Sequence, residues 1–186
     1  MRLFLLVGVL LLNGCALLSS PPAPVARPTQ ADAAFALNGR IAIRHHDVRH
    51  SAGLRWVHQV QSDEVLLLTP LGQTAARVYR DASGATLEDG DKRHQAADAE
   101  SLMEQVMGWH LPLGGLHRWV LALPMDGSEA EIERDAGGRI ALLRQNGWEV
   151  RYLRYADASP DSLPTRLQLN RDVLQVQILI DEWELL

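Results

Sequence analysis

Apolar and polar residues alternate along most of the chain with the two-residue period of a β-strand. Phe35, Leu37, Gly39, Ile41 and Ile43 are interleaved with Ala36, Asn38, Arg40, Ala42 and Arg44, so an extended segment over 35–44 has one apolar face. A turn at His45-His46-Asp47 separates it from a second strand over 51–59, with Ala52, Leu54 and Trp56 on one side. Residues 61–63 read as a loop; strands follow over 64–69, 75–80, 85–88 and 92–96, the last two joined by the hairpin pair Asp89-Gly90. The period then lengthens. Asp98 is placed to cap a helix whose one face carries Ala99, Leu102, Met103, Val106 and Met107, and Gly108 ends it. A second short helix over 115–121 presents Leu116, Trp119 and Val120. Strands resume over 129–134, 139–145, 148–155, 163–170 and 173–184, with turns at Ala136-Gly137-Gly138, Asn146-Gly147 and Asn170-Arg171-Asp172. The pattern predicts a mainly β fold of about eleven antiparallel strands with a small helical insertion, as one curved sheet or open barrel. It is a poor membrane-spanning barrel, because Arg and Glu interrupt the lipid-facing alternation.

One stretch departs from alternation. Val65-Leu66-Leu67-Leu68 is a continuous apolar run, followed by Thr69-Pro70-Leu71-Gly72. Pro70 cannot donate to a ladder, and the tetrapeptide fits a type I turn closed by a left-handed glycine. Leu71 then either stands at a hairpin tip or folds back onto its own sheet, and local chemistry does not choose between the two.

The amino terminus is of another kind. Arg2, the apolar run from Leu3 to Leu12 and Asn13-Gly14-Cys15 have the layout of a secretory signal over 1–14. The run is shorter than the ~20 residues a spanning helix needs. Leu12-Asn13-Gly14-Cys15 resembles a bacterial lipobox, which makes Cys15 a lipidated first residue. Cys15 is the sole cysteine, so no intramolecular disulfide is possible. Residues 15–30 are rich in Pro, Ser and Ala and read as an extended tether. The body, 31–186, has the size of one domain.

Composition narrows the chemistry. The sequence is 47% hydrophobic with a net charge of -5, and only Lys92 among its cations is a lysine. No basic stripe for nucleic acid is visible. His45, His46, Asp47 and His50 form the densest metal-like cluster, but adjacent residues of an extended chain point to opposite sides, which favours a solvated turn. His58, His94, His110 and His117 are isolated in sequence. No Gly-x-Ser-x-Gly elbow or phosphate-binding loop is present, so an enzyme would have no nucleophile, base or metal, and no cofactor is implied.

Taken in order, the lipobox at Cys15, Gly39-Arg40, Trp56, Leu66-Leu67-Leu68-Thr69-Pro70-Leu71-Gly72, Leu111-Pro112-Leu113 through Trp119, Leu123-Pro124, Gln145-Asn146-Gly147-Trp148, Tyr152, Tyr155, Leu163-Pro164 and Trp183 resemble the LolB family of outer-membrane lipoproteins. The segment before the first strand is shorter than in that family, which leaves the family's N-terminal helix open. The resemblance implies an open antiparallel half-barrel whose apolar concave face is covered by helices. It implies a monomeric, non-enzymatic protein anchored in the outer membrane of a Gram-negative bacterium and facing the periplasm. Its partners would be lipoprotein cargo, a LolA-like periplasmic carrier and the bilayer. The family's membrane-inserting apolar residue falls on Leu71. Acyl chains are expected near Trp56, Leu66, Leu68, Met103, Met107 and Trp119, a choice made on composition. The rival reading is a structural lipoprotein of an outer-membrane assembly complex; an anchored hydrolase ranks behind both.

Overall fold

In the computed structural model, described here for residues 25–28, 33–108 and 112–186, two antiparallel meanders share one sheet. The first comprises β1 (Phe35–His45), β2 (Val48–Gln59), β3 (Ser62–Leu68), β4 (Thr74–Asp81), β5 (Gly84–Asp89) and β6 (Lys92–Ala96). Helices α1 (Ala99–Met107) and α2 (Leu113–Val120) connect it to β7 (Ala130–Arg134), β8 (Ile140–Gln145), β9 (Trp148–Tyr155), β10 (Pro164–Arg171) and β11 (Leu174–Leu185). The spatial order is β6-β5-β4-β3-β2-β1-β11-β10-β9-β8-β7. The first and last strands therefore pair at the centre, while β6 and β7 remain the two edges of an open sheet. Both edges are five residues long and rich in charge, which discourages pairing with another chain.

The central pairing needs a bulge. Asn38 stands opposite Glu182 and Gly39 opposite Ile180, so Asp181 is skipped. A Cβ on Gly39 would lie 2.0 Å from the Leu179 carbonyl oxygen. Gly39→Ala is accordingly expected to force the two central strands apart and cost about 3 kcal/mol, read as a lower urea midpoint with an unchanged slope.

Alternation sorts the sheet into two faces. Phe35, Leu37, Ile41, Leu54, Trp56, Val78, Val150, Leu167, Leu169, Val176 and Ile178 are buried on the concave side beneath the helices. α1 forms as its sequence demands: the Asp98 carboxylate accepts from the Ser101 N–H at 2.7 Å, and Gly108 closes the helix at φ 74°. The sequence-derived strands and helices are all present, but β2 begins at Val48 where the pattern started it at Ser51, so His45 and His50 are strand and only His46-Asp47 is turn, and α2 begins at Leu113 where the pattern started it at Gly115. β3 begins at Ser62, so Ser62 and Asp63 are strand and not loop. A further difference concerns the tether. Residues 25–28 pack on the body: Ala26 bridges to Ser162, and the Arg27 N–H donates to Asp161 O at 2.7 Å. Val25 contributes a hydrophobic contact that composition did not reveal. Cys15 and the region of the family's N-terminal helix lie outside the described residues.

Candidate functional site: an apolar cavity and a leucine-tipped hairpin

The hairpin between β3 and β4 is built by three hydrogen bonds. The Thr69 N–H donates to Gln73 O at 2.8 Å, the Gly72 N–H donates to Thr69 O at 2.9 Å, and the Gln73 N–H donates to the Thr69 hydroxyl at 3.2 Å. Gly72 takes φ 79°, the left-handed conformation that lets the loop close within this length. The result holds Leu71 away from the sheet, 87% exposed. Of the two local alternatives, the outward one is the observed one.

Under α1 and α2 the concave face encloses a cavity of about 60 Å³. Its walls are Ile41, Ile43, Leu54, Trp56, Val65, Leu67, Val78 and Ile178 from the sheet, and Met103, Leu113 and Leu116 from the helices. A wider groove of about 290 Å³ adjoins it, sharing Ile41, Ile43, Leu67, Val78 and Met103 and adding Val106, Met107 and Leu87, with His50 and Asp89 also on its lining. The cavity walls present no unpaired polar group, so such a space stays dry and its natural occupant is hydrocarbon. Two other depressions are larger. One of about 710 Å³ surrounds Arg144 with Glu129, Glu131 and Glu149, and one of about 490 Å³ lies on the convex face. The first is polar and outside the sheet's concave side, unsuited to an acyl chain.

Trp56 keeps its place in the wall through a buried polar cluster. Its indole N–H donates to Asp63 Oδ1 at 2.7 Å, His58 Nδ1 lies 2.8 Å from the same oxygen, and the Arg80 guanidinium pairs with Oδ2 at 2.5 Å. Burial disfavours the Asp63 carboxylate, yet the His58 and Trp56 hydrogen bonds, with the charges of His58 and Arg80, outweigh it and hold its pKa below the usual range. His58 stacks on His117 of α2, ring centroids 4.3 Å apart. His58, isolated in sequence, is thus central in space. α2 is held further by Trp119, whose indole donates to Gln145 Oε1 at 3.0 Å and whose carbonyl accepts from the Tyr152 hydroxyl at 2.8 Å. Arg118 donates to Pro124 O at 2.7 Å and pairs with Asp126 at 2.7 Å.

The six expected cavity residues divide. Trp56 and Met103 line the cavity and Met107 the groove. Leu66 and Leu68 do not: Trp56 pairs with Val65 and Leu54 with Leu67, so Leu66 and Leu68 point to the convex face opposite Arg55 and Gly53. A four-residue apolar run hides its own parity, and the register with β2 sets it. Trp119 is fully buried between α2 and β8–β9 and is absent from the cavity lining; its indole is committed to Gln145. The wall residues the sequence did not single out, Ile41, Ile43, Leu54, Val65, Leu67, Val78 and Ile178, share the face of Trp56. That tryptophan was the signal available for them. Among the described residues no group of three His, Cys, Asp or Glu side chains is placed to hold a metal.

A model of the family described as outer membrane lipoprotein LolB matches residues 33–183. The chain belongs to the LolB family. An outer-membrane lipoprotein LolB from Chromobacterium violaceum is 39% identical over 183 residues, covering 98% of each chain. One from Azoarcus sp. is 40% identical over 177 residues, covering 95% of this chain and 91% of the relative. Among solved structures, a LolA superfamily protein from Nitrosomonas europaea superposes with a TM-score of 0.52 at 9% identity, covering 83% of this chain and 87% of that one. At that identity the likeness is one of fold, an open sheet with helices on its concave side.

Proposed function

We propose that this chain is a lipid-anchored receptor that takes the acyl chains of lipoproteins into the concave cavity and delivers them to the outer membrane. Family membership and the LolA-like fold support a role in lipoprotein localisation. The observation that carries the finer reading is the pairing of two unlike apolar features. A dry pocket with Trp56 and Met103 in its walls lies on one side of β3, and Leu71 stands in solvent at the end of that same strand. Cys15, as the lipidated residue, keeps the body at the membrane. Cargo arrives from a LolA-like periplasmic carrier.

The cavity is too small for an acyl chain, since drug-sized ligands occupy roughly 300–1,000 Å³. Loading therefore requires one roof element to move. α2 is held to the sheet by the Trp119 and Tyr152 hydrogen bonds and the His58 stack, whereas α1 packs on the core through Ala99, Leu102, Met103 and Val106 and is joined to α2 by the Gly114 N–H, which donates to Glu100 Oε1 at 3.0 Å. α1 is the element that yields, and its methionines repack around hydrocarbon at low cost. No hydrolysis is needed in this scheme. Cargo moves from carrier to receptor to bilayer along increasing affinity, and a tenfold preference is about 1.4 kcal/mol, less than burial of one leucine side chain.

Native mass spectrometry of the full-length protein with a triacylated lipopeptide tests this. A one-to-one complex is expected, and the same peptide without acyl chains should not compete. Binding that follows the peptide instead of the acyl chains would favour a structural subunit of an outer-membrane assembly complex.

A further inference from the structure

The convex face of the sheet is cationic although the chain as a whole is acidic. Arg44 on β1, Arg49 and Arg55 on β2 and Arg166 on β10 are exposed. Alternation from Ile43, Leu54, Trp56 and Leu167, which face the helices, turns these arginines outward. None of the four has a carboxylate partner among the described residues. Three carboxylates on the same face are paired with other arginines, Glu64 with Arg77 at 2.7 Å, Asp181 with Arg40 at 3.0 Å and Glu149 with Arg151 at 2.7 Å; Glu182, which accepts from the Asn38 amide at 3.1 Å, and Glu184 keep their charge at the far end of β11. Between the free cations lie Leu66 and Leu68, and a groove of about 490 Å³ to which Gly53, Leu68, Pro70 and Leu179 contribute. Arginines bordering an apolar strip have the make-up of a surface that rests in a lipid headgroup layer.

The placement of the two membrane attachments gives the same orientation independently. Leu71 is at the end of the sheet where β1 meets β2 and β10 meets β11. Residues 25–28 dock beside Ser162, between β9 and β10, at the other end. Nine residues, 16–24, separate Val25 from Cys15, a span of ten Cα steps and a reach of at most ~35 Å when fully extended. β1, with eleven residues, is itself ~35 Å long. A body standing upright on Leu71 would need this segment stretched to its limit. A body lying down satisfies both attachments with a relaxed segment, and α1 and α2 already cover the concave side.

We propose that the convex face lies on the bilayer and that Arg44, Arg49, Arg55 and Arg166 receive anionic phospholipid headgroups there. This rests on the reading of Cys15 as membrane anchor; the reading of Leu71 as a membrane-engaging tip gives the orientation a second support that is tested separately. The test uses the full lipidated chain in vesicles of phosphatidylethanolamine and phosphatidylglycerol, with a fluorophore at one of three sites: Val57→Cys on the convex face far from Leu71, Gln73→Cys beside Leu71, or Gln105→Cys on α1. Quenching by headgroup-labelled lipid is expected at 57 and 73 but not at 105. At 57 it should fall in high salt, in phosphatidylcholine alone and in an R44Q/R55Q/R166Q background. Each arginine near an anionic surface contributes about fivefold, so the three together should shift the lying population by the order of a hundredfold at low salt. The background variant should melt normally, since these side chains pair with nothing. Quenching at 73 without quenching at 57 overturns the convex-face proposal and leaves the Leu71 reading intact. Quenching at 57 without 73 supports the proposal and overturns the Leu71 reading; quenching at neither site overturns both. Quenching at 105 in place of 57, or equal quenching at 57 in phosphatidylcholine, means that the arginines face a protein partner or solvent and overturns the proposal.

Discussion

Leu71→Glu is expected to melt like the wild type and to load lipopeptide normally, yet to deliver it to liposomes at least tenfold more slowly. The side chain makes no packing contribution where it stands, 87% exposed at the tip of its hairpin, and exposed substitutions usually change stability by under about 0.5 kcal/mol. What the substitution removes is apolar area that the proposed reading buries in the bilayer. A leucine so buried contributes about 1.5–3 kcal/mol, and a carboxylate adds an opposing cost. Either contribution alone accounts for a tenfold loss. The measurement is two-part: a melting curve, and transfer of a labelled lipopeptide from loaded protein to vesicles. A fall in melting temperature would mean that Leu71 supports the fold. Normal melting with normal transfer would reduce it to a turn residue.

A second large effect is expected in the interior. Asp63→Ala leaves the Arg80 guanidinium, His58 and the Trp56 indole N–H without their shared acceptor, in a place where Asp63 is 5% exposed. Breaking a buried ion pair on one side costs about 3–5 kcal/mol, which for a body of this size is a drop of roughly 10 °C in melting temperature. Loading should weaken as well, because Trp56 loses the bond that holds it in the cavity wall. The pH dependence gives an independent check. The folded pKa of Asp63 is depressed, so on acidification the unfolded chain takes up this proton first. The stabilisation it supplies is complete above the ordinary carboxylate range and is lost as pH falls through the depressed folded value. Wild type should therefore lose stability more steeply than Asp63→Ala below about pH 4, seen in urea midpoints taken from about pH 5 downward.

The sequence was most legible where local rules act alone. The strand count followed from alternation, Asn146-Gly147 and Asp89-Gly90 marked their hairpins, and Asp98 with Gly108 bounded α1. These signals lie within a few residues of what they specify. The site was legible only in part, because its decisive relations cross strands. Leu66 and Leu67 are chemically alike, and only pairing with β2, through the Trp56–Val65 register, puts one outside and the other in the cavity. Asp63 is a polar residue after Gln61-Ser62 and reads as loop; its burial depends on His58 from β2 and Arg80 from β4. Trp119 sits on an apolar helical stripe, but whether such a stripe lines a cavity or fills a core depends on Gln145, 26 positions away. Leu71 was undecided for a related reason: turn chemistry fixes the loop and leaves the direction of its side chain to the hydrogen bonds of residues 69–73.

The central claim is that acyl chains enter the concave side of the sheet, and neighbouring residues of opposite parity test it directly. A photo-crosslinking amino acid placed at Leu67 or, separately, at Leu66 of the full-length protein differs in position by one residue and in face by the whole thickness of the sheet. After loading with a triacylated lipopeptide and irradiation, mass spectrometry should find acyl-chain adducts from position 67 and none from position 66. Adducts from position 66 and none from position 67 would contradict the cavity and place the cargo on the outer face.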